Sequence, residues 1–401
     1  MKVDSGSHPT LYKIGVNLAK RDQRLFDLGL KIVTMPENIV GKAKFALSDK
    51  EHGDKINSVN LELSILCNLR CQMCWWWGEN GIGFKLVKDK DSMITQQLKK
   101  EEVFKIIDEL AATHKPSFYI SGGEPFIRDD MLEVIEYIAS KGLSVITNDN
   151  GTLLKDEQLE KLARIKKLTI NFSIDGTREV HDKIRGKGMY DKTTSTIKKL
   201  LEYRGKSLFP AIKTNTTFSP FILGQIDELI RELQNNVGVD ATRLQHLWFT
   251  DKSHAEAHKK VLYESLGTNE GANVDSHVIS WPSLEYINSL ADEIIKIEHT
   301  KYSKPVYIHP RMSKNNIMKY YTNLNYVRAD RCMVAWNNIF IRANGDVMFC
   351  PDEWMTDFKL GNVREHSINE LWNNDKAKLF RRELWKHKLY PGCARCCAIN
   401  G

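Results

Sequence analysis

The sequence predicts an α/β fold with a parallel sheet covered by helices, and three observations lead there. Period-two apolar patterns alternate with helix-length segments six times between residues 59 and 249, the rhythm of βα repeats. The 401 residues are 42% hydrophobic and 27% charged, an ordinary globular composition for a chain long enough to bury two cores. Eight cysteines fall into two groups with none between Cys74 and Cys332, which suits metal sites better than a disulfide framework.

In chain order, residues 1–54 carry weak patterns, with one amphipathic stretch at 18–28. Val59, Leu61, Leu63 and Ile65 alternate with Asn60, Glu62 and Ser64, a strand that runs directly into Cys67. Helices are expected at 98–112, 130–140, 156–165, 192–204 and 222–234. Strands are expected at 117–121, 143–147, 168–174, 211–218 and 243–249. Helix stops such as Gly142 support these bounds. A polar insertion at 251–282 precedes a final helix at 284–298. It holds His254, His258 and His277 with little periodicity. His254 and His258 could share a helix face, but no H-E-x-x-H pattern surrounds them, so an exposed pair on a mobile lid is the expectation. Near the C-terminus, Ala343-Asn344-Gly345 signals a hairpin between strands 338–341 and 346–349, followed by helices at 368–372 and 376–388.

Parallel sheets hold their ligands at the C-terminal strand ends, and the first motif lies there. Cys67, Cys71 and Cys74 are spaced C-x3-C-x2-C. Structural zinc sites combine four ligands, usually as Cys pairs, whereas three clustered thiolates suit three corners of a [4Fe–4S] cube. A zinc half-site is the competing reading. The spacing resembles the radical S-adenosylmethionine (SAM) enzymes. The resemblance implies a partial (β/α)6 barrel like an incomplete TIM barrel, with the open iron chelating SAM. Met73 stands where that family usually has an aromatic residue, and could pack against adenine. Trp75, Trp76 and Trp77 follow; they could shield the cluster, wall the pocket or simply pack.

Gly122-Gly123-Glu124-Pro125 resembles the family's Gly-Gly-Glu-Pro motif. Glycine backbone can approach the methionine part of SAM closely, and Glu124 with nearby carbonyls could accept from its ammonium group. Ser173-Ile174-Asp175-Gly176 and His181-Asp182 through Arg185-Gly186-Lys187-Gly188 resemble the run found in members with C-terminal auxiliary clusters. Ser173 could bond a ribose or carboxylate, and Arg185 could pair with the SAM carboxylate. Asp175 could cap the following turn or touch the ligand. Asn148 and Asn215, at strand ends, are further ribose candidates.

Cys332, Cys350, Cys393 and Cys396 supply four later thiolates. Their pattern resembles the family's SPASM domain, but with too few cysteines for two clusters. The match is to the shortened twitch domain of the 2-deoxy-scyllo-inosamine dehydrogenase type, with one auxiliary [4Fe–4S] cluster. Structural zinc is the alternative, and Cys397 could replace Cys396. The resemblance also places an acid after Cys350 as catalytic base. Pro351 intervenes, leaving Asp352, Glu353 or neither.

The implied divisions are an N-terminal extension at 1–54, a barrel at 55–310 and a small α+β twitch (shortened SPASM) domain at 311–401. Net charge is +7, but acids interleave the basic residues, as in Lys99-Lys100-Glu101-Glu102. No nucleic acid or membrane partner is therefore expected. Lack of an 18-residue apolar run or signal-peptide core suggests the cytoplasm. The resemblance implies reductive SAM cleavage to a 5′-deoxyadenosyl radical, with flavodoxin or ferredoxin as electron donor. A second cluster implies net two-electron oxidation, of a small hydroxylated metabolite. Peptide modification, redox-neutral dehydration or epimerisation, and a non-catalytic iron–sulfur or RNA-binding scaffold are the alternatives.

Overall fold

In the first strand, β1 (Ser58–Glu62), Val59 and Leu61 are fully buried while Ser58 and Asn60 are half-buried. The same alternation marks β2 (Ser117–Ser121), β3 (Val145–Asp149), β5 (Ala211–Thr217) and β6 (Ala241–Gln245). One face of each strand thus packs on helices and the other fronts open space. The computed structural model describes residues 50–78, 81–268, 277–278, 283–329, 331–350 and 358–396. With β4 (Leu168–Ser173) and β7 (Val306–His309), these strands pair in chain order, all parallel. The remaining strands are β8 (Asn338–Ile341), β9 (Asp346–Met348) and β10 (Gly361–Asn362). They extend one ten-stranded sheet in the order β10-β9-β8-β1-β2-β3-β4-β5-β6-β7. Because β10 and β7 both end the sheet, the barrel is open, the expected partial form.

Three features depart from the sequence expectations. Strand β3 lies two residues later than 143–147, and β6 starts two residues before and ends four residues before 243–249, because register against neighbours overrides local alternation: Val145 pairs with Leu168, and Ala241 with Lys213. A seventh parallel strand, β7, was not foreseen. The partner of the cysteine-bearing hairpin was not expected from sequence either. β8 runs parallel to β1, with Asn60 opposite Phe340, and β9 returns antiparallel. One apolar core accordingly runs from Ile56 to Cys396.

The insertion begins with a helix, and one of its paired histidines is not exposed. Lys252–Leu266 is a 15-residue helix whose Asp251 N-cap accepts from His254 N at 2.7 Å. Ala255, His258, Leu262 and Leu266 form its buried stripe, so His258 is fully buried rather than exposed. The helix packs on the C-terminal turn Pro391–Arg395. The amphipathic stretch at 18–28, Asp352, Glu353 and Cys397 lie outside the described residues. Among the described residues no helix is long and apolar enough to cross a membrane.

Candidate active site

The loop after β1 is held on three sides. Gln72 N donates to Ile184 O at 3.0 Å, docking the loop on the Arg178–Arg185 helix. Asn68 donates to Thr152 Oγ1 at 2.8 Å and accepts from Asn150 Nδ2 at 2.9 Å, tying it to the loop after β3. Beneath it Ile65, Trp76, Trp77, Met93 and Ala343 form a small apolar cluster. Trp77 Nε1 donates to Ile65 O at 2.8 Å, and Arg70 lies 4.2 Å from the centroid of its ring. Trp76 and Trp77 are therefore packing residues, while Trp75 is half-buried against His277.

Cys67, Cys71 and Cys74 are free thiols on this loop. Burial pushes the Cys67 thiol up to about 12, with Glu124, Cys71 and Cys74 acting the same way. Burial also raises Cys71, and nearby Arg185 opposes it. Thiols so placed need cationic compensation to ionise, which iron supplies. No three His, Cys, Asp or Glu side chains among the described residues converge closely enough to hold a single metal ion.

The Gly122–Gly123 turn crosses this loop. Gly123 N donates to Ser64 O at 3.0 Å and Glu124 N to Leu66 O at 2.8 Å. Gly122 has φ +127°, and a Cβ on Gly123 would stand 2.1 Å from Leu66 O. Only glycine permits that crossing. Glu124 Oε1 accepts from Phe126 N at 3.1 Å and Oε2 from Asn150 N at 2.9 Å, so its carboxyl first organises the two strand-end loops. Burial and the neighbouring Asp149 raise Glu124 well above the carboxylate range; burial pushes Asp149 up to about 7. A buried carboxyl pair of this kind suits an ammonium ligand, which would let it ionise.

At the next strand ends, Arg185 Nε donates to Asp175 Oδ2 at 2.7 Å, and Asp175 Oδ1 accepts from Thr217 N at 3.0 Å. Asp175 is thus a brace between β5 and Arg185 rather than a turn cap. Burial opposes the Arg185 charge, but Asp175 and the Cys71 and Cys74 sulfurs favour it and its pKa is raised. His181 Nδ1 accepts from Asp175 N at 3.2 Å, and burial followed by Arg185 depresses the ring to about 4. Ser173 and Asn215 are register partners. The Asn215 Oδ1 atom is buried without a hydrogen bond, an acceptor awaiting a donor. Asn148 donates to Tyr119 Oη and accepts from Asn171 Nδ2. Met73 joins Arg70, Gln72, Trp77, Gly78, Phe84 and Phe221 around a cleft of about 620 Å³.

The second cysteine group gathers around the Pro391–Arg395 turn. Cys332 and Cys396 are buried, Cys350 and Cys393 half-buried. Cys332 N donates to Lys388 O at 3.0 Å, and Cys396 N to Cys393 O at 3.0 Å. Burial lifts Cys332 to about 11; Cys393 rises to about 12 by burial and then by Cys332. Tyr390 lies within electrostatic reach of Cys350 and Cys393. Sequence reasoning took His258 for an exposed partner of His254 and missed its place here: its Nδ1 accepts from Gly392 N at 3.2 Å, beside Cys393. It also missed Asp149 and Asn68; both lie beside motif residues, Asp149 after Asn148 and Asn68 after Cys67, the one local signal available.

Residues 61–236 match the model of the radical SAM superfamily, and residues 332–397 match the SPASM iron-sulfur cluster-binding domain. Mycofactocin maturase MftC of Mycolicibacterium smegmatis is 32% identical over 84% of this chain and 74% of its own length. AdoMet-dependent heme synthase of Methanosarcina barkeri is 27% identical over 84% of this chain and 86% of its own. The crystal structure of Streptococcus suis SuiB bound to precursor peptide SuiA shares the fold. Its TM-score is 0.56 at 15% identity, covering 88% of this chain and 79% of that one.

Proposed function

Since the chain belongs to the radical SAM superfamily and carries a SPASM-type iron–sulfur domain, we propose that it removes a hydrogen atom from a peptide substrate lying against the concave face of its sheet. It is a radical SAM enzyme that uses SAM and a [4Fe–4S] cluster. Bound together, these supply a 5′-deoxyadenosyl radical. The chain's own residues bind, orient and exclude water.

Cys67, Cys71 and Cys74 would hold three irons of the first cluster. The Gly122–Gly123 backbone would lie along the methionine part of SAM, with Glu124 and Asp149 receiving its ammonium. Arg185, braced by Asp175, would offer the rest of its guanidinium to the carboxylate. Asn148, Ser173 and Asn215 would bond the ribose, and Met73 would pack on adenine. Cys332, Cys350, Cys393 and Cys396 would hold one auxiliary cluster in the shortened, twitch-type arrangement, with Asp352 or Glu353 as the acid nearest it in sequence. Flavodoxin or ferredoxin would deliver the electron.

One observation carries the reading: three free thiols after β1, the glycine crossing after β2 and Arg185, on the helix after β4, meet beyond the C-terminal strand ends. The substrate class rests on similarity to a maturase and to a fold found holding a precursor peptide. That similarity supports a peptide over the small hydroxylated metabolite expected from sequence.

Anaerobically loaded protein should carry about eight irons and form 5′-deoxyadenosine from SAM on reduction. Changing Cys67, Cys71 and Cys74 together to Ala should remove about half the iron and all SAM cleavage; continued cleavage would overturn the site. Mass analysis of the product then fixes the outcome. Loss of two hydrogens marks oxidation or a cross-link, and unchanged mass marks epimerisation. Turnover of a hydroxylated metabolite and of no peptide would defeat the substrate assignment.

A further inference from the structure

The concave positions of β5 and β6 are Lys213, Asn215 and Thr217, then Arg243 and Gln245; they are half-buried where the positions between them are buried. In register across the sheet, Ser173 neighbours Asn215, Asn215 neighbours Arg243, and Arg243 neighbours Tyr307. Side chains on adjacent parallel strands stand about 5 Å apart on the same face, so these four form a row leading away from the proposed ribose site. No Asp or Glu occupies a concave position of β4, β5 or β6.

Arg243 is the anomaly in this row. Among the described residues it has no hydrogen-bond, ion-pair or ring partner. Other partly or fully buried guanidiniums are engaged: Arg204 with Asp240, Arg185 with Asp175, Arg342 with Glu62, and Arg381 and Arg395 with backbone carbonyls. A guanidinium on the concave face with no protein acceptor has its whole fork available to a ligand, and local rules of pairing are broken most often at functional sites. Its planar fork matches a carboxylate through two parallel hydrogen bonds. Lys213, one step lower on the neighbouring strand, adds positive charge to the same face.

We propose that Arg243 is a substrate-specificity residue that binds the carboxylate of an acidic side chain of the substrate, one strand beyond the cofactor row. This rests on the reading of the concave face as the substrate site. A carboxylate could also come from SAM. Asn215 stands between Arg243 and Ser173, and Arg185 already serves the cofactor side, so the geometry points to the substrate.

The test uses the cluster-loaded full chain in anaerobic equilibrium dialysis. The probes are SAM, glutarate against neutral glutaramide, and an end-capped pentapeptide with a central Glu against its end-capped Gln counterpart. Wild type should bind each charged probe about ten-fold or more tighter than its neutral match. Arg243→Gln should abolish that preference, Arg243→Lys should keep the preference with binding weakened about three-fold, and SAM affinity should match wild type in both. A wild type indifferent to charge, an Arg243→Gln protein that still discriminates, or an Arg243→Lys protein that binds like wild type overturns the assignment. Loss of SAM binding with glutarate binding intact assigns the carboxylate to SAM and also overturns it. Iron content certifies each variant, and if the Gln form does not load, the wild-type and Lys results decide. Arg243-dependent glutarate binding with neither peptide bound leaves the assignment standing and defeats the peptide reading. Equal binding of both peptides without glutarate discrimination does the reverse.

Discussion

Glu124 and Asp149 show how a motif residue can serve a site first through the backbone. Glu124 joins Phe126 N and Asn150 N, while Asp149 accepts from Gly151 N, so two loops are fixed before any ligand arrives. The arrangement carries a pH signature. Both folded-state pKa values are raised by burial, so the folded protein holds more protons than the unfolded chain above the ordinary carboxylate range. Stability from this pair is therefore full at low pH and falls as pH rises towards and through about 7. The slope approaches about 1.4 kcal/mol per pH unit for each proton difference. Urea unfolding of the ligand-free protein between pH 5 and 8 should show this loss, and Asp149→Asn should flatten it. Added SAM should flatten it too, because an ammonium beside the pair favours the charged carboxyls.

The Lys252–Leu266 helix buries one face of a segment that is polar in composition. Its stripe Ala255, His258, Leu262 and Leu266 is a legible 3.6-residue period, but a histidine at a core position disguised it as polar insertion. What the sequence could not indicate is the partner: His258 receives the Gly392 amide, and a Cβ on Gly392 would come within 3.0 Å of the imidazole ring. The helix therefore fixes the turn bearing Cys393. His258→Ala should cost about 2 kcal/mol by opening a cavity and orphaning that amide. Iron should drop from about eight towards four per chain, with the SAM-binding cluster signal retained in electron paramagnetic resonance. His258→Asn, which keeps an acceptor, should recover part of the iron. Loss of both clusters together would show that the helix supports the whole fold rather than this turn.

At the scale of the molecule, the cysteine spacings, the Gly-Gly turn and the six-fold βα rhythm were all legible because each is local. Strand β7 was not, since Val306–His309 is four residues of uniform half-burial with no alternation to read. Nor was the joining of β8 to β1, which leaves no mark in either segment. Across residue 310 the sheet is continuous: Leu61 and Ile341 are register partners and Arg342 lies 3.9 Å from Glu62. Residues 311–401 expressed alone should remain unfolded by circular dichroism, and 50–310 should expose one edge of β1 and aggregate. A cooperative melt of either piece would separate the domains after all. The same joining has a consequence during synthesis. Asn60 and its hydrogen-bond partner Asn338 are 278 residues apart in sequence, so β1 leaves the ribosome long before its outer neighbour exists. Ala343, which helps close the apolar cluster beneath the first three thiols, arrives equally late. A nascent chain must keep that strand edge protected through most of translation, and iron delivered before the C-terminal hairpin has docked meets an unfinished cradle.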